Sequence, residues 1–340
     1  MSEPGRRRDA TIVDVARVSG VSKSTVSNVI RNPGLVAEAT RRRVLDAIEH
    51  LDYRPNAVAR DLKRMRTGTV GVIVGDLANP FYAELTKLIE RRTTGAGYAT
   101  IICDVDGSGD AERERMELLL EQRVSGVFMT YLKGEGDAIE AAQRAGVPLV
   151  GVSVFDRRLD SIVSDDAVGA RLAVEHLTSL GHVRIAYVPS QRTEPPTNAS
   201  RLRGLHAAQR GAGLPPGVAV AIAGTPERNQ RTLAAVVHDG DRPTAFLAGN
   251  DVTALELIDR LEAAGLRVPG DASVIGYDDI PLARLGRVSL TTLHQPISEL
   301  AAFGVARMLA RIEFREGPDA APLQVRLAPE LIVRGTTAAA

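Results

Sequence analysis

The sequence predicts an α/β protein in three parts: an all-helical head of helix-turn-helix form, a linker, and a core of two doubly wound α/β lobes. Three observations carry this. Residues 11–52 show only helical apolar spacing, residues 53–66 offer little apolar surface, and from residue 69 onward strand-like runs alternate with helical stretches in two successive sets. The 340 residues suffice for a small module plus one or two larger domains, and a composition of 44% hydrophobic and 25% charged residues fits a packed, soluble chain.

In the head, Ile12, Val15 and Ala16 form one apolar stripe. Val26, Val29 and Ile30 form a second, and Val44, Leu45, Ile48 and Leu51 a third. Thr11 followed by Asp14 is a helix-start signature, because the hydroxyl caps and the carboxylate reaches back. Gly20-Val21-Ser22 reads as a tight turn, and Asn32-Pro33-Gly34 ends the second helix. Ala37 stands where a capping side chain is favoured before the third helix, and Glu38 partly compensates through the helix dipole. The linker YRPNAVARDLKRMR contains good helix formers, but about three turns with so little apolar surface are marginal alone in water and fold on a partner.

In the core, TVGVIV, ATIICDV, GVFMT and VPLVGVSV are the first set of strand-like runs, and RIAYV, VAVAI, TAFLAG and ASVIGY the second. The expected division is 1–53 for the head, 54–68 for the linker and 69–340 for the core. Within the core, 69–163 and 291–323 form the first lobe, and 164–290 and 324–337 the second. Two such lobes make a cleft at the strand C-termini, where open α/β sheets bind ligands.

Charge and motifs narrow the function. The net charge is zero, yet residues 1–66 carry 14 Lys/Arg against 8 Asp/Glu, and the remainder 28 against 34. A head at +6 and a body at −6 point to a polyanion as the head's partner, with clustered solvated arginines as the alternative. A single cysteine, Cys103, excludes a disulfide framework. No run reaches the roughly 18 apolar residues of a membrane span, and the N-terminal residues lack the apolar centre of a secretory leader. A cytoplasmic protein without membrane contact is therefore expected. The six His form no HExxH, and neither a P-loop nor a GxSxG elbow is present. Gly107-Ser108-Gly109 lies after the wrong strand for a dinucleotide fingerprint. No enzymatic activity and no cofactor are expected.

Several stretches together resemble the LacI/GalR family of bacterial transcriptional regulators. They are TIVDVARVSGVSKSTVSNVI, YRPNAVARDLK, GVIVGDLANPFYAEL, LAVEHLTSLGHVRIAYV, GNDVTALELIDRLEAAGLRVPGDASVIGYDD and TTLHQPISELA, in family order over about residues 10–337. The resemblance implies a homodimer on a pseudopalindromic double-stranded operator. It also implies a core resembling periplasmic sugar-binding proteins, in which an effector alters DNA affinity.

On this reading the helix Ser22–Ile30 enters the major groove, with Lys23, Ser24 and Asn28 towards base edges. Many relatives carry Arg at the position of Asn28, so a different operator base is expected there. Thr11, Ser22, Thr25 and Ser27 are phosphate-contact candidates, as hydroxyls that set register. At the linker the resemblance implies DNA contacts from Tyr53, Asn56, Ala59, Leu62 and Lys63, with Leu62 as a minor-groove wedge.

For the effector, the resemblance singles out Asp76, Asn79, Phe81 and Tyr82 after the first strand, Asp106 after the second, Thr130 after the third and Ser153 after the fourth. Many relatives have Asp at the position of Ser153. In the second lobe it singles out Arg201 at a helix start, Asn250 at a strand end and Asp278 in GYDD, with Gln295 on the returning segment. One of Phe81 and Tyr82 is expected to line the cleft and the other to pack, and one of Asn250 and Asp251 to cap a helix. Carboxylates, amides, a guanidinium and aromatic faces suit a hydroxyl-rich ligand such as a sugar or its derivative. A nucleobase or nucleoside, control by a partner protein, and a solute-binding protein are the alternatives.

Overall fold

The computed structural model describes residues 10–31, 33–53, 68–133, 136–190, 195–220, 242–313 and 320–340. The chain divides into two units, 1–67 and 68–340.

The first unit is helical. Helix α1 (Ile12–Ser19) starts at Thr11, whose N–H and Oγ1 both donate to Asp14 Oδ2, at 3.0 and 2.7 Å. It ends at Gly20, whose φ of 67° is the left-handed conformation that glycine adopts without steric cost. Helix α2 (Lys23–Arg31) is capped by Ser22, whose Oγ accepts from Thr25 N at 3.1 Å. A 3₁₀ turn (Pro33–Leu35) leads to α3 (Glu38–His50), and the Ala37 side chain makes no cap bond. Val15, Val26, Val29 and Val44 meet in one small core. Val26 and Val29 lie three positions apart and so share the inner face of α2.

The second unit holds two sheets. Strands β1 (Thr69–Val74), β2 (Ala99–Asp104), β3 (Val127–Met129), β4 (Leu149–Val152) and β5 (Asp160–Ser164) lie in the first, and helices α4 (Pro80–Gly95), α5 (Gly109–Glu121) and α6 (Asp137–Arg144) connect them. Helix α7 (Asp166–Ser179) starts the second lobe. It is followed by β6 (Ile185–Val188), α8 (Pro195–Gly211), β7 (Ala245–Ala248), α9 (Asp251–Ala263), β8 (Ser273–Asp278) and β9 (Thr291–His294). The last elements are α10 (Ile297–Ile312), β10 (Gln324–Leu327) and β11 (Glu330–Ile332). The first sheet has the order β10-β5-β4-β3-β1-β2 and the second β11-β9-β8-β7-β6. Every pairing is parallel except β11 on β9. Near-continuous apolar residues in β1, β4 and β7 are what burial of both sheet faces requires.

The sheet pairing corrects the expected lobe boundaries. Thr291–His294 pairs with β8, so it belongs to the second lobe, and the chain crosses only at Gln295 and Pro296 before α10 packs on the first. Gln324–Leu327 pairs with β5, so it belongs to the first lobe, and Glu330–Ile332 returns to the second. Both errors have one cause: a strand four residues long carries no sequence mark of which sheet it joins. The run DSIVS, read as a boundary, forms the buried strand β5; Asp160 at its start is neutralised by Arg311, at 2.8 Å. Of VAVAI, the described residues show a bridge from Ala219 to Tyr187. No described helix is long and apolar enough to cross a membrane.

Candidate DNA-reading face and effector cleft

On α2 the inward positions are Val26 and Val29, which leaves Lys23, Ser24 and Asn28 exposed. Thr25 and Ser27 are half-buried. Ser22 Oγ lies 2.7 Å from Ser24 Oγ and 2.8 Å from Thr25 Oγ1, so three hydroxyls cluster at the helix N-terminus. Such a cluster beside free backbone N–H groups is suited to a phosphate oxygen. Thr11 is occupied by its bonds to Asp14, and Tyr53 packs half-buried against the head's core, with its N–H donating to Ile48 O at 2.9 Å. Asn56, Ala59, Leu62 and Lys63 lie outside the described residues.

In the second unit the C-terminal ends of the strands bring the expected cleft residues together from both lobes. One cavity, of about 260 Å³, has Asp76 and Asn79 of the first lobe facing Ser190, Asn250 and Glu256 of the second. Asn79 Oδ1 caps α4 through Phe81 N at 3.1 Å, and Asp76 Oδ1 accepts from Ala78 N at 2.8 Å. Asn250 Oδ1 caps α9 through Thr253 N at 2.8 Å, while its Nδ2 donates to Ser190 Oγ at 3.0 Å. Asn250 is therefore the cap of the pair. Asp251 is fully buried and accepts from Ile280 N at 2.8 Å and from Thr292 Oγ1. Burial first, then the neighbouring Asp278, push its carboxyl well above the usual range.

A second cavity, of about 170 Å³, is walled by Ser153, Val163 and Ser164 on one side and by Asp166, Thr197 and Arg201 on the other. Gln295 lies at the crossover and joins the lobes: its Oε1 accepts from Ser164 Oγ at 2.7 Å and its Nε2 donates to Asp278 Oδ1 at 2.6 Å. Arg201 donates to Asp166 Oδ1 at 3.3 Å and to Gly249 O, with its guanidinium 3.7 Å from the Tyr277 ring centroid. Burial opposes its charge, but Asp166 and Asp278 hold its pKa above the ordinary value. Glycine is required at 249 because a Cβ there would stand 2.6 Å from Ser190 N. Ser153 and Asp278 both have positive φ, 68° and 119°, which is strain of the kind stored at binding sites.

Other expected residues stand elsewhere. Phe81 and Tyr82 are both buried edge to face, their centroids 5.3 Å apart, and neither lines these cavities. Thr130 is fully buried and donates to Ile73 O at 3.3 Å, and Asp106 is exposed. Arg201 does not open its helix. Helix α8 begins at Pro195, because proline in the first turn forfeits only an N–H that has no helical partner. Sequence reasoning missed Ser164, Asp166, Phe155, Arg203 and Arg326, all lining the second cavity. The strand-to-helix step SDDA was the available signal for Ser164 and Asp166; Arg203 and Arg326 had none.

Comparisons with known proteins agree with this architecture. Residues 11–56 match the family "Bacterial regulatory proteins, lacI family", and residues 174–337 match a periplasmic binding protein-like domain. The chain is 36% identical over 330 residues to the HTH-type transcriptional repressor PurR of Photobacterium profundum, covering 96% of this chain and 98% of that protein. It is 36% identical over 332 residues to the ribose operon repressor of Escherichia coli (strain K12), covering 96% and 99%. The crystal structure of the Lac repressor dimer bound to operator and the anti-inducer ONPF superposes with a TM-score of 0.82 at 30% identity, covering 98% of this chain and 100% of that one. The chain belongs to the LacI family of bacterial regulatory proteins, a family of transcription regulators and not of enzymes.

Proposed function

We propose that this chain is a cytoplasmic repressor that binds a pseudopalindromic operator as a homodimer, and whose operator affinity is set by a sugar or sugar derivative in the interlobe cleft. The observation that carries the sensing half is the lining of the cavity beside Ser153. Hydroxyls of Ser153, Ser164, Thr197 and Ser200, the Gln295 amide and the Arg201 guanidinium converge there. That set matches a ligand dense in oxygen. A nucleobase is less well served, because Phe155 is the one aromatic ring among the described lining residues, and the Arg326 guanidinium carbon already lies over it, 4.9 Å from the ring centroid. On the DNA side, Lys23, Ser24 and Asn28 read bases, Ser22, Thr25 and Ser27 approach phosphates, and Leu62 wedges into the minor groove.

Linkage requires ligand and operator to change each other's affinity by the same factor. The test is chromatin mapping of bound sites, followed by anisotropy titrations of the recovered operator with and without a sugar panel. Binding to no specific DNA sinks the repressor reading. Operator affinity that no bound small molecule changes sinks the sensing reading. Light scattering checks the dimer.

A further inference from the structure

We propose that the cavity beside Ser153 takes an anionic ligand, a hydroxylated small molecule bearing a phosphate or carboxylate, whose oxyanion is held by Arg203 from the second lobe and Arg326 from the first. This deepens the sensing reading above and rests on it. The charge balance of the cavity carries the inference. Three guanidinium groups line it, those of Arg201, Arg203 and Arg326, against one carboxylate, that of Asp166. Asp166 Oδ1 already accepts from Arg201 and from the Tyr277 hydroxyl, at 3.3 and 3.1 Å. That pair is internally neutral. The surplus is the two remaining arginines, both exposed and neither in an ion pair among the described residues.

Their placement matters as much as their number. Arg203 stands on α8 and Arg326 on β10, so like charges line one cavity from opposite lobes. Closing the cleft on an uncharged ligand brings both into lower dielectric without a counter-charge, which is costly. An oxyanion between them supplies that counter-charge and favours closure. Arg326 is also held at the cavity wall: its guanidinium carbon lies over the Phe155 ring, 4.9 Å from the centroid, a contact that keeps the group charged and beside the cavity. The remaining lining adds hydroxyl donors rather than acidic acceptors.

The test uses the full chain at fixed ionic strength, since guanidinium–anion contacts are screened by salt. Melting shifts and calorimetric affinities are measured for matched pairs: ribose and ribose 5-phosphate, glucose and glucose 6-phosphate, glucose and gluconate, with inorganic phosphate alone as the minimal oxyanion. The expected result is that phosphate protects the wild type and that at least one anionic sugar binds tenfold or more tighter than its neutral partner. Arg203→Gln with Arg326→Gln should bring that ratio within threefold. Response to the phosphates only, or to gluconate only, identifies the oxyanion, and either supports the proposal. If neither phosphate nor any anionic sugar protects the wild type more than the double variant, the proposal is overturned. Neutral sugars that bind the wild type as tightly as their anionic partners would overturn it while leaving the sensing reading intact.

Discussion

In the head, the side-chain bonds around Ser22 join residues two and three positions apart. In the cleft, the bond from Ser164 to Gln295 spans 131 positions, and that from Tyr277 to Asp166 spans 111. The side chains proposed to read DNA stand exposed on a single helix above a core of a few valines, whereas Ser164, Arg201, Asp278 and Gln295 are buried and hydrogen-bonded across long sequence separations. A change on the α2 surface should therefore alter recognition and leave stability alone, while a change in the cleft should alter both. The most direct way to break this comparison is Arg201→Met. It leaves the Asp166 carboxylate without its guanidinium in a site where both side chains are largely buried. The expected loss is about 3–5 kcal/mol of core stability in urea unfolding, together with loss of ligand response. A change below about 1 kcal/mol would show that the cleft is no more self-supporting than the head.

Asn28→Ala is the converse case. Asn28 is exposed on α2, so urea stability should stay within about 0.5 kcal/mol of the parent. Operator discrimination should fall by about 1–3 kcal/mol at one base pair per half-site, read by anisotropy against a set of single-base operator variants. A uniform loss across all variants would make Asn28 a phosphate contact instead.

The same contrast explains what was legible in the sequence. The head could be read because its information is local: Val26 and Val29 three apart, Thr11 three before Asp14, and Gly20 at a helix end each announce their roles within one turn. In the core, the run of apolar residues announced strands, but nothing local assigns β9 or β10 to a sheet, since that depends on which edge is vacant. Asn79, Ser153 and Asn250 could be placed at the cavity walls from sequence because each follows a strand or begins a helix. Arg326 was not, because an arginine in an edge strand has no mark that separates a cleft-lining group from a solvated one. Phe81 and Tyr82 misled for the opposite reason. Their position beside the cleft was right, but their rings turn into the first lobe's core.

A pH titration sharpens the comparison further. His182 is buried, with Nδ1 2.8 Å from Thr244 Oγ1 and Nε2 3.0 Å from Ala338 O. The carbonyl accepts only, so Nε2 carries the proton and Nδ1 accepts from the threonine hydroxyl. Burial first, then the nearby His176, hold the imidazole pKa below its ordinary 6.5. The unfolded chain therefore binds more protons than the folded one as pH falls below 6.5, and stability is lost in that direction. The core should lose stability between pH 7 and 5.5, and His182→Gln should flatten the profile. An unchanged slope in that variant would remove His182 as the cause.

The smallest expected effect is also the most local. Ala37 holds the N-cap of α3 at φ −55° and ψ 141° with no side-chain cap bond, although the first backbone N–H groups of the helix have no internal partner. Ala37→Ser supplies an oxygen for one of them, worth about 0.5–1 kcal/mol. In a large core such a gain is a minor share of the whole. In a head whose buried apolar residues, among those described, are Val15, Ala16, Val26, Val29, Val44 and Ala47 it is a sizeable share of the total. Hydrogen exchange on the full chain should slow about three- to fivefold at the α3 amides and stay constant in β1, β4 and β7. If protection rose equally in both units, the head would not be unfolding by itself, and the independence of its local bonds from the core's long-range ones would be lost.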